Sequence, residues 1–214
     1  MKDALEIYFR YQIMPALQRH QLRVAGVARQ ICDSVSHELD TDGVVSVCLL
    51  HDMGNIIKFD LSYFPEFVKP EGLEHWQKVK DGFVEKYGSD EHVATEKICR
   101  EIGLSETEMG YLSAVGFSRA SENVTSDSLE RKICCYSDMR VGPHGVLSIE
   151  ERLADGRKRY AGKKHTIASE RFEEMAAAVR ELERQIFLAA SIRPEDVTDA
   201  SVDKIVASLE ANKS

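Results

Sequence analysis

Two histidines and two aspartates stand inside or directly beside the apolar helical runs of this chain. His20 lies four residues before Val24 on the same helical face, His51 closes a run of apolar residues, and Asp52 follows it. Asp138 ends another largely apolar run. A lone buried histidine is more often hydrogen-bonded than metal-bound, so the combination carries the argument. Because an isolated buried carboxylate is costly, these aspartates require a cation or several donors.

Two imidazoles and two carboxylates that converge on one point suit a divalent ion. The residue types fit Mn²⁺, Fe²⁺, Co²⁺, Ni²⁺, Zn²⁺ or Mg²⁺. Four protein ligands leave positions for water on a six-coordinate ion. Such an ion lowers the pKa of bound water and polarises a phosphoryl oxygen. We therefore expect one divalent metal ion and hydrolytic chemistry on a phosphate.

A basic segment follows the last of these residues. The net charge of the chain is −8, yet one short segment has six cations and a single acid, Asp155; its cations are Arg152, Arg157, Lys158, Arg159, Lys163 and Lys164. One arginine guanidinium group can donate two parallel hydrogen bonds to two oxygens of a phosphate. We predict that Arg140, Arg152 and Lys58 contact phosphate. The alternative is a solvated face that complements a helix dipole, and we prefer it for Lys163 and Lys164.

The elements that position these residues are predicted to be helices. Proline is scarce, with 5 residues, and no convincing alternating strand pattern occurs. The predicted helices cover 3–13, a segment from Pro15 to about Ile31, Val44–Asp52 (ended by Gly54), a segment from Leu73 to Tyr87, one from about Asp90 to Gly103, about 127–140, about 167–190 and about 200–209. Residues 55–72 are predicted to be mainly loop. Ser105 and Ser148 each begin a capping-box pattern.

Composition excludes several classes of protein. Hydrophobic residues make up 43% and charged residues 30%, which rules out a disordered chain. No apolar run approaches the roughly 20 residues that span a bilayer. The five cysteines lack a Cys-x-x-Cys spacing, which favours a reduced, cytoplasmic protein. The negative net charge argues against long nucleic acids as partners. It does not exclude a small phosphorylated substrate.

Three short segments resemble the HD superfamily of metal-dependent phosphohydrolases: His20–Ala25, Leu49–Gly54 and Tyr136–Asp138. The resemblance covers about residues 15–160. It implies an all-α helical bundle and a metal site formed by His20, His51, Asp52 and Asp138. It also implies cleavage of a phosphate ester of a nucleotide or another small phosphorylated metabolite, with Asp52 orienting or deprotonating the attacking water.

The resemblance also bears on the number of metal ions. Many relatives have a histidine near the position of His92, where it binds a second metal or faces the substrate. We expect His92 to protonate the leaving group, with a first-turn surface residue as the alternative. Binuclear relatives have another histidine one helix later, but residues 112–117 contain no ligand-type side chain. One metal ion is therefore expected.

No branch of the superfamily fits fully. The 5′-nucleotidase-like branch has a glutamate three residues after the doublet aspartate, and this chain has Asn55 there. Neither a Gly-Tyr-Pro motif nor an acidic pair directly after the doublet occurs. A non-catalytic metal- or nucleotide-binding module therefore stays as the alternative to an enzyme. In either case we expect one domain over 1–214, with the metal-binding core at 15–160 and C-terminal helices at 165–214 packing on it. The oligomeric state is left open.

Overall fold

The computed structural model describes residues 4–160 and 169–211, and in these ranges the chain is helical. Eleven α-helices are α1 (Ala4–Arg10), α2 (Pro15–Cys32), α3 (Thr41–Leu50), α4 (Leu73–Tyr87), α5 (Glu91–Ile102), α6 (Glu106–Leu112), α7 (Ala120–Val124), α8 (Leu129–Met139), α9 (Ile149–Tyr160), α10 (Ser169–Ala189) and α11 (Asp199–Ala211). Short 3₁₀ turns lie at Asn55–Ile57, Pro65–Val68, Phe117–Arg119 and Pro194–Asp196. Two isolated bridges are the only β pairing in the described ranges. The all-α prediction is confirmed.

Local signals in the sequence explain where several helices begin. Pro15 occupies the first turn of α2, where its missing N–H costs nothing. The Asp40 carboxylate accepts the Gly43 N–H at the start of α3, and the Asp90 carboxylate accepts two backbone N–H groups at the start of α5. The predicted capping box at Ser105 is present. These caps determine the residue at which each of the helices around the site begins.

The centre of the fold is a three-helix contact between α2, α3 and α8. Val24, Val27, Val44, Val47 and Ile133 are fully buried there. This packing brings together the first half of α2, the end of α3 and the last turn of α8. Each of those three places carries a predicted metal ligand.

The last helices pack on this centre. Helix α10 contacts α7 and α8, and α11 contacts α2. The predicted apolar stripe of α10 is buried, and it consists of Phe172, Met175, Val179, Leu182 and Ile186. A Cβ at Gly26 of α2 would lie 2.8 Å from a methyl group of Val202, so glycine permits the close approach of α11. No helix in the described part of the chain is long and apolar enough to cross a bilayer.

The end of α3 differs from the prediction. The helix ends at Leu50 rather than Asp52, and His51 is its C-cap. Gly54 does not end the helix; it starts the 3₁₀ turn and touches α5. A Cβ at Gly54 would lie 2.6 Å from the Glu91 carbonyl, and the Gly54 N–H donates to Thr95 Oγ1 at 2.9 Å. Close packing between the doublet segment and α5 therefore requires the glycine. The short helix α7 was also missed, because five residues carry too little periodicity.

Candidate metal centre

The four predicted metal ligands lie together in the structure. His20 Nε2 is 3.2 Å from Asp138 Oδ1 and 3.6 Å from Asp52 Oδ2. His51 Nε2 is 3.5 Å and 3.7 Å from the same two oxygens. The two imidazole rings are 5.3 Å apart between centroids. Residues 118 positions apart in the sequence thus meet at one point.

The donor atoms of this cluster are spaced as the ligands of a divalent ion are. Ligand atoms about 2.1 Å from an ion are themselves roughly 3.0–3.4 Å apart, close to the distances seen here. His20, His51 and Asp52 each offer one ligand atom, and these three atoms lie within 4.8 Å of one another. His51 Nε2 is buried and lies 3.5 Å from the Asp138 oxygen and 3.7 Å from the Asp52 oxygen, and a cation bound among these atoms would give it a closer partner.

Hydrogen bonds from neighbouring residues orient the His-Asp doublet. The His51 Nδ1–H donates to the Cys48 carbonyl at 2.8 Å, which leaves Nε2 available as a metal ligand. The Asp52 N–H donates to Gln21 Oε1 at 3.2 Å. Asn55 Nδ2 donates to Asp52 Oδ2 at 2.7 Å. Sequence reasoning gave Gln21 no role, although its place beside His20 on a buried helix was a usable signal.

The electrostatics of the cluster favour bound positive charge. Burial lowers the pKa of His51, but the carboxylates of Asp52 and Asp138 outweigh it and raise that pKa to about 9. Burial raises the pKa of Asp138, but hydrogen bonding to His20 and His51 outweighs it and holds this pKa well below its usual range. The Asp138 carboxylate is therefore charged, and it stabilises a cation between the imidazoles.

A cavity of about 1300 Å³ opens beside the cluster, and three of the residues predicted to act on the substrate line it. Lys58, His92 and Arg152 all line it. Lys58 Nζ is 3.2 Å from Glu91 Oε1, and His92 Nε2 is 3.5 Å from the same oxygen. The His92 side chain is 79% exposed at the first turn of α5. Arg152 Nη1 is 3.6 Å from Asp155.

Arg140 corrects the prediction of a phosphate contact. It is 3% exposed and is not among the residues that line the cavity. Its Nε donates to the Leu147 carbonyl, its Nη1 to Tyr136 Oη and the Pro194 carbonyl, and its Nη2 to the Val197 carbonyl. Each of the three guanidinium nitrogens of Arg140 thus donates to an oxygen of the protein, and we assign this residue a structural role. It ties the end of α8 to the segment before α11.

The cavity also has lining residues that sequence reasoning missed. Arg119 and Arg171 add cations, Glu91 adds an acid, and three phenylalanines add an apolar wall: Phe59, Phe64 and Phe67. Their spacing matches neither a helical nor a strand period, so the sequence pattern did not indicate them. The predicted basic segment is described only in part. Residues 161–168, with Lys163, Lys164 and His165, and the side chain of Arg159 lie outside the described residues.

Comparison with protein families agrees with the fold and the site. The model of the HD domain family matches residues 17–138, more than half of the chain. The chain therefore belongs to the HD domain family, which is part of a superfamily of metal-dependent hydrolases. Comparisons with curated proteins and with solved structures gave no significant match. The resemblance carried by the histidine, the His-Asp doublet and the distant aspartate is confirmed.

Proposed function

We propose that the chain is a metal-dependent phosphohydrolase that cleaves a phosphate ester of a nucleotide or another small phosphorylated metabolite. One observation carries the proposal. The His20, His51, Asp52 and Asp138 cluster opens on a cavity that Lys58 and other cations line. A cation site next to further cations is the arrangement that a phosphate group needs.

In this proposal the cluster holds one divalent ion, with Asp138 as the fourth protein ligand. The ion is Mn, Fe, Co, Ni, Zn or Mg. When bound, it lowers the pKa of a water molecule and polarises a phosphoryl oxygen. His51 is fixed by the Cys48 carbonyl, so its Nε2 stays directed at the ion position.

The remaining steps belong to side chains of the chain itself. Asp52 accepts the proton of the attacking water, and the Asn55 amide fixes the orientation of its carboxylate. Lys58 and Arg152 neutralise charge on the phosphate from the cavity wall. His92, exposed to the same cavity, donates a proton to the leaving oxygen.

The direct test is metal analysis combined with a substrate screen. The purified protein is analysed for bound metal, and phosphate release is then measured from phosphomonoesters, nucleotides and cyclic nucleotides. We expect one metal per chain and metal-dependent release from at least one class. Bound metal without release from any class would refute the proposal.

A non-catalytic metal- or nucleotide-binding module is the second candidate, and Asn55 favours it. An amide cannot accept the proton that a glutamate at this position would accept. A His51→Ala/Asp52→Ala double variant separates the two candidates. Loss of folding in this variant indicates a structural metal, whereas a stable fold without turnover supports the enzyme.

A further inference from the structure

An aromatic wall stands on one side of the metal cavity. It belongs to the segment Phe59–Val68, which follows the metal-ligating doublet in the chain. Phe59, Phe64 and Phe67 are half-buried, and all three line the cavity. The Phe64 and Phe67 ring centroids are 4.8 Å apart, with an interplanar angle of 33°. A group of partly exposed phenyl rings beside a cavity is a feature of ligand-binding grooves.

The wall is held in place from several sides. Leu61 and Val68 are buried and anchor the segment in the core. Lys80 Nζ of α4 donates to the Phe59 carbonyl at 2.7 Å. The ring of His144 packs against Phe64 and Phe67, with centroids 5.7 and 5.8 Å away. Because His144 follows Asp138 by six residues, segments after two different metal ligands meet at this wall.

The composition of the cavity defines the kind of molecule that fits it. One part holds the metal ligands and Lys58, which suit a phosphate. The same lining includes three phenyl rings, which suit a flat ring system because aromatic side chains stack on nucleobases. The alkyl chain of an alkyl phosphate would also cover the phenyl rings, but it lacks the π face with which a base stacks on them.

We propose that Phe59, Phe64 and Phe67 form a platform on which a planar base of the substrate stacks, so that the site selects nucleotides over phosphorylated sugars. This inference rests on the proposed function, because it assumes that the phosphate lies at the metal cluster. Base stacking on aromatic side chains is sequence-tolerant, so the platform itself predicts a preference for a base over no base.

The first test compares ligands that differ only in the base. Phosphonate analogues of the common nucleoside 5′-monophosphates, in which a methylene replaces the ester oxygen, are titrated into the metal-loaded protein. The matching analogue of ribose 5-phosphate has the same sugar and the same phosphonate without a base. We expect at least one nucleotide analogue to bind about tenfold more tightly than the ribose analogue. Equal affinities throughout would overturn the proposal.

The second test removes the rings. Phe64→Ala and Phe67→Ala are expected to weaken nucleotide binding about tenfold while ribose-analogue binding changes less than about twofold. Phe64→Leu keeps an apolar side chain without the ring and is expected to show the same selective loss. Phe9→Ala is the matched control, because Phe9 is 86% exposed and does not line the cavity. Equal loss for both ligands would mean that the segment only shields the cavity, which overturns the platform.

The two proposals fail in different ways. Binding is measured without turnover, so an absence of phosphate release counts against the proposed function while the base preference is still measured. Hydrolysis of ribose 5-phosphate as efficient as that of every nucleotide would support the proposed function and overturn the platform. Thermal melting checks each variant, and the wild-type comparison needs no variant at all.

Discussion

The cluster of candidate metal ligands (His20, His51, Asp52 and Asp138) and the wall of the adjoining cavity differ in how strongly their side chains are buried. The cluster residues project from α2, α8 and the turn after α3, and the His51 side chain is 1% exposed. Lys58 and His92 of the cavity wall come from the turn after the doublet and from the first turn of α5, and their side chains are 50% and 79% exposed. The cluster side chains are largely buried and hydrogen-bonded, whereas Lys58 and His92 extend into the cavity with much of their side chains exposed. Variants of the two regions should therefore fail differently.

The largest effect is expected for removal of a cluster carboxylate. Asp138→Ala leaves three ligands around the ion and should reduce metal-dependent turnover by about a thousandfold or more, with metal content falling well below one per chain. Activity assays and elemental analysis give both values. His37→Ala is the control, because His37 is exposed and does not line the cavity. Full metal content and turnover in Asp138→Ala would show that Asp138 is not a ligand.

Arg140 and Lys58 test the contrast between a buried and an exposed cation. Arg140→Ala leaves several buried oxygens without donors and should lower the free energy of unfolding by about 3 kcal/mol. Lys58→Ala should leave unfolding nearly unchanged and raise KM about fivefold. Denaturant titration and steady-state kinetics measure the two quantities. A stable Arg140→Ala protein with a raised KM would restore the phosphate role that the structure removes.

The metal affinity of the cluster should increase with pH. Without metal the pKa of His51 is about 9, so its imidazole is protonated at pH 7. A metal ligand must be neutral, and the proton therefore competes with the ion. The apparent affinity is expected to rise by up to about tenfold per pH unit from pH 7 and to level off above about pH 9. Chelator competition measures it, and a flat profile over this range would contradict the charge state inferred for His51.

The smallest effect concerns a helix of the cavity wall. Ser105 caps α6, whose residues include Met109 and Leu112 of the cavity lining. Ser105→Ala should cost about 1 kcal/mol of stability. Metal affinity should stay unchanged, because the cluster lies on other helices. Thermal melts with and without metal measure both the stability and the metal affinity of the variant. A loss of metal affinity as large as the loss of stability would show that the cavity wall and the cluster are energetically coupled.

The candidate metal ligands could be predicted from the sequence because their signals are local. All four residues stand in or beside helical apolar runs, and each lies in one of the three short segments that resemble the HD superfamily: His20, His51, Asp52 and Asp138. The helix starts at Pro15 and Asp40 were equally accessible, since caps act within one turn. The end of α3 could not be predicted from the sequence, because it depends on the contact between Gly54 and α5.

The cavity wall was less accessible for a related reason. Arg140 and Arg152 have the same side chain and both follow Asp138 within a short stretch, yet one binds protein carbonyls and the other lines the cavity. Sequence gives the charge of a side chain but not the direction in which the fold sends it. The three phenylalanines of the wall show no readable period in the sequence, and only the structure places them in the lining of the cavity.

By itself, the sequence determined an all-helical chain, the ligand types and the family, because helix propensity, capping and short motifs are local properties. Only the tertiary structure decided that Asn55 orients Asp52, that Glu91 pairs with Lys58, and that Arg140 stays inside the fold. These depend on packing between residues distant in sequence or on turn geometry that packing imposes. The physical reason is that the free energy of a buried polar group is set by its neighbours, and the fold chooses those neighbours.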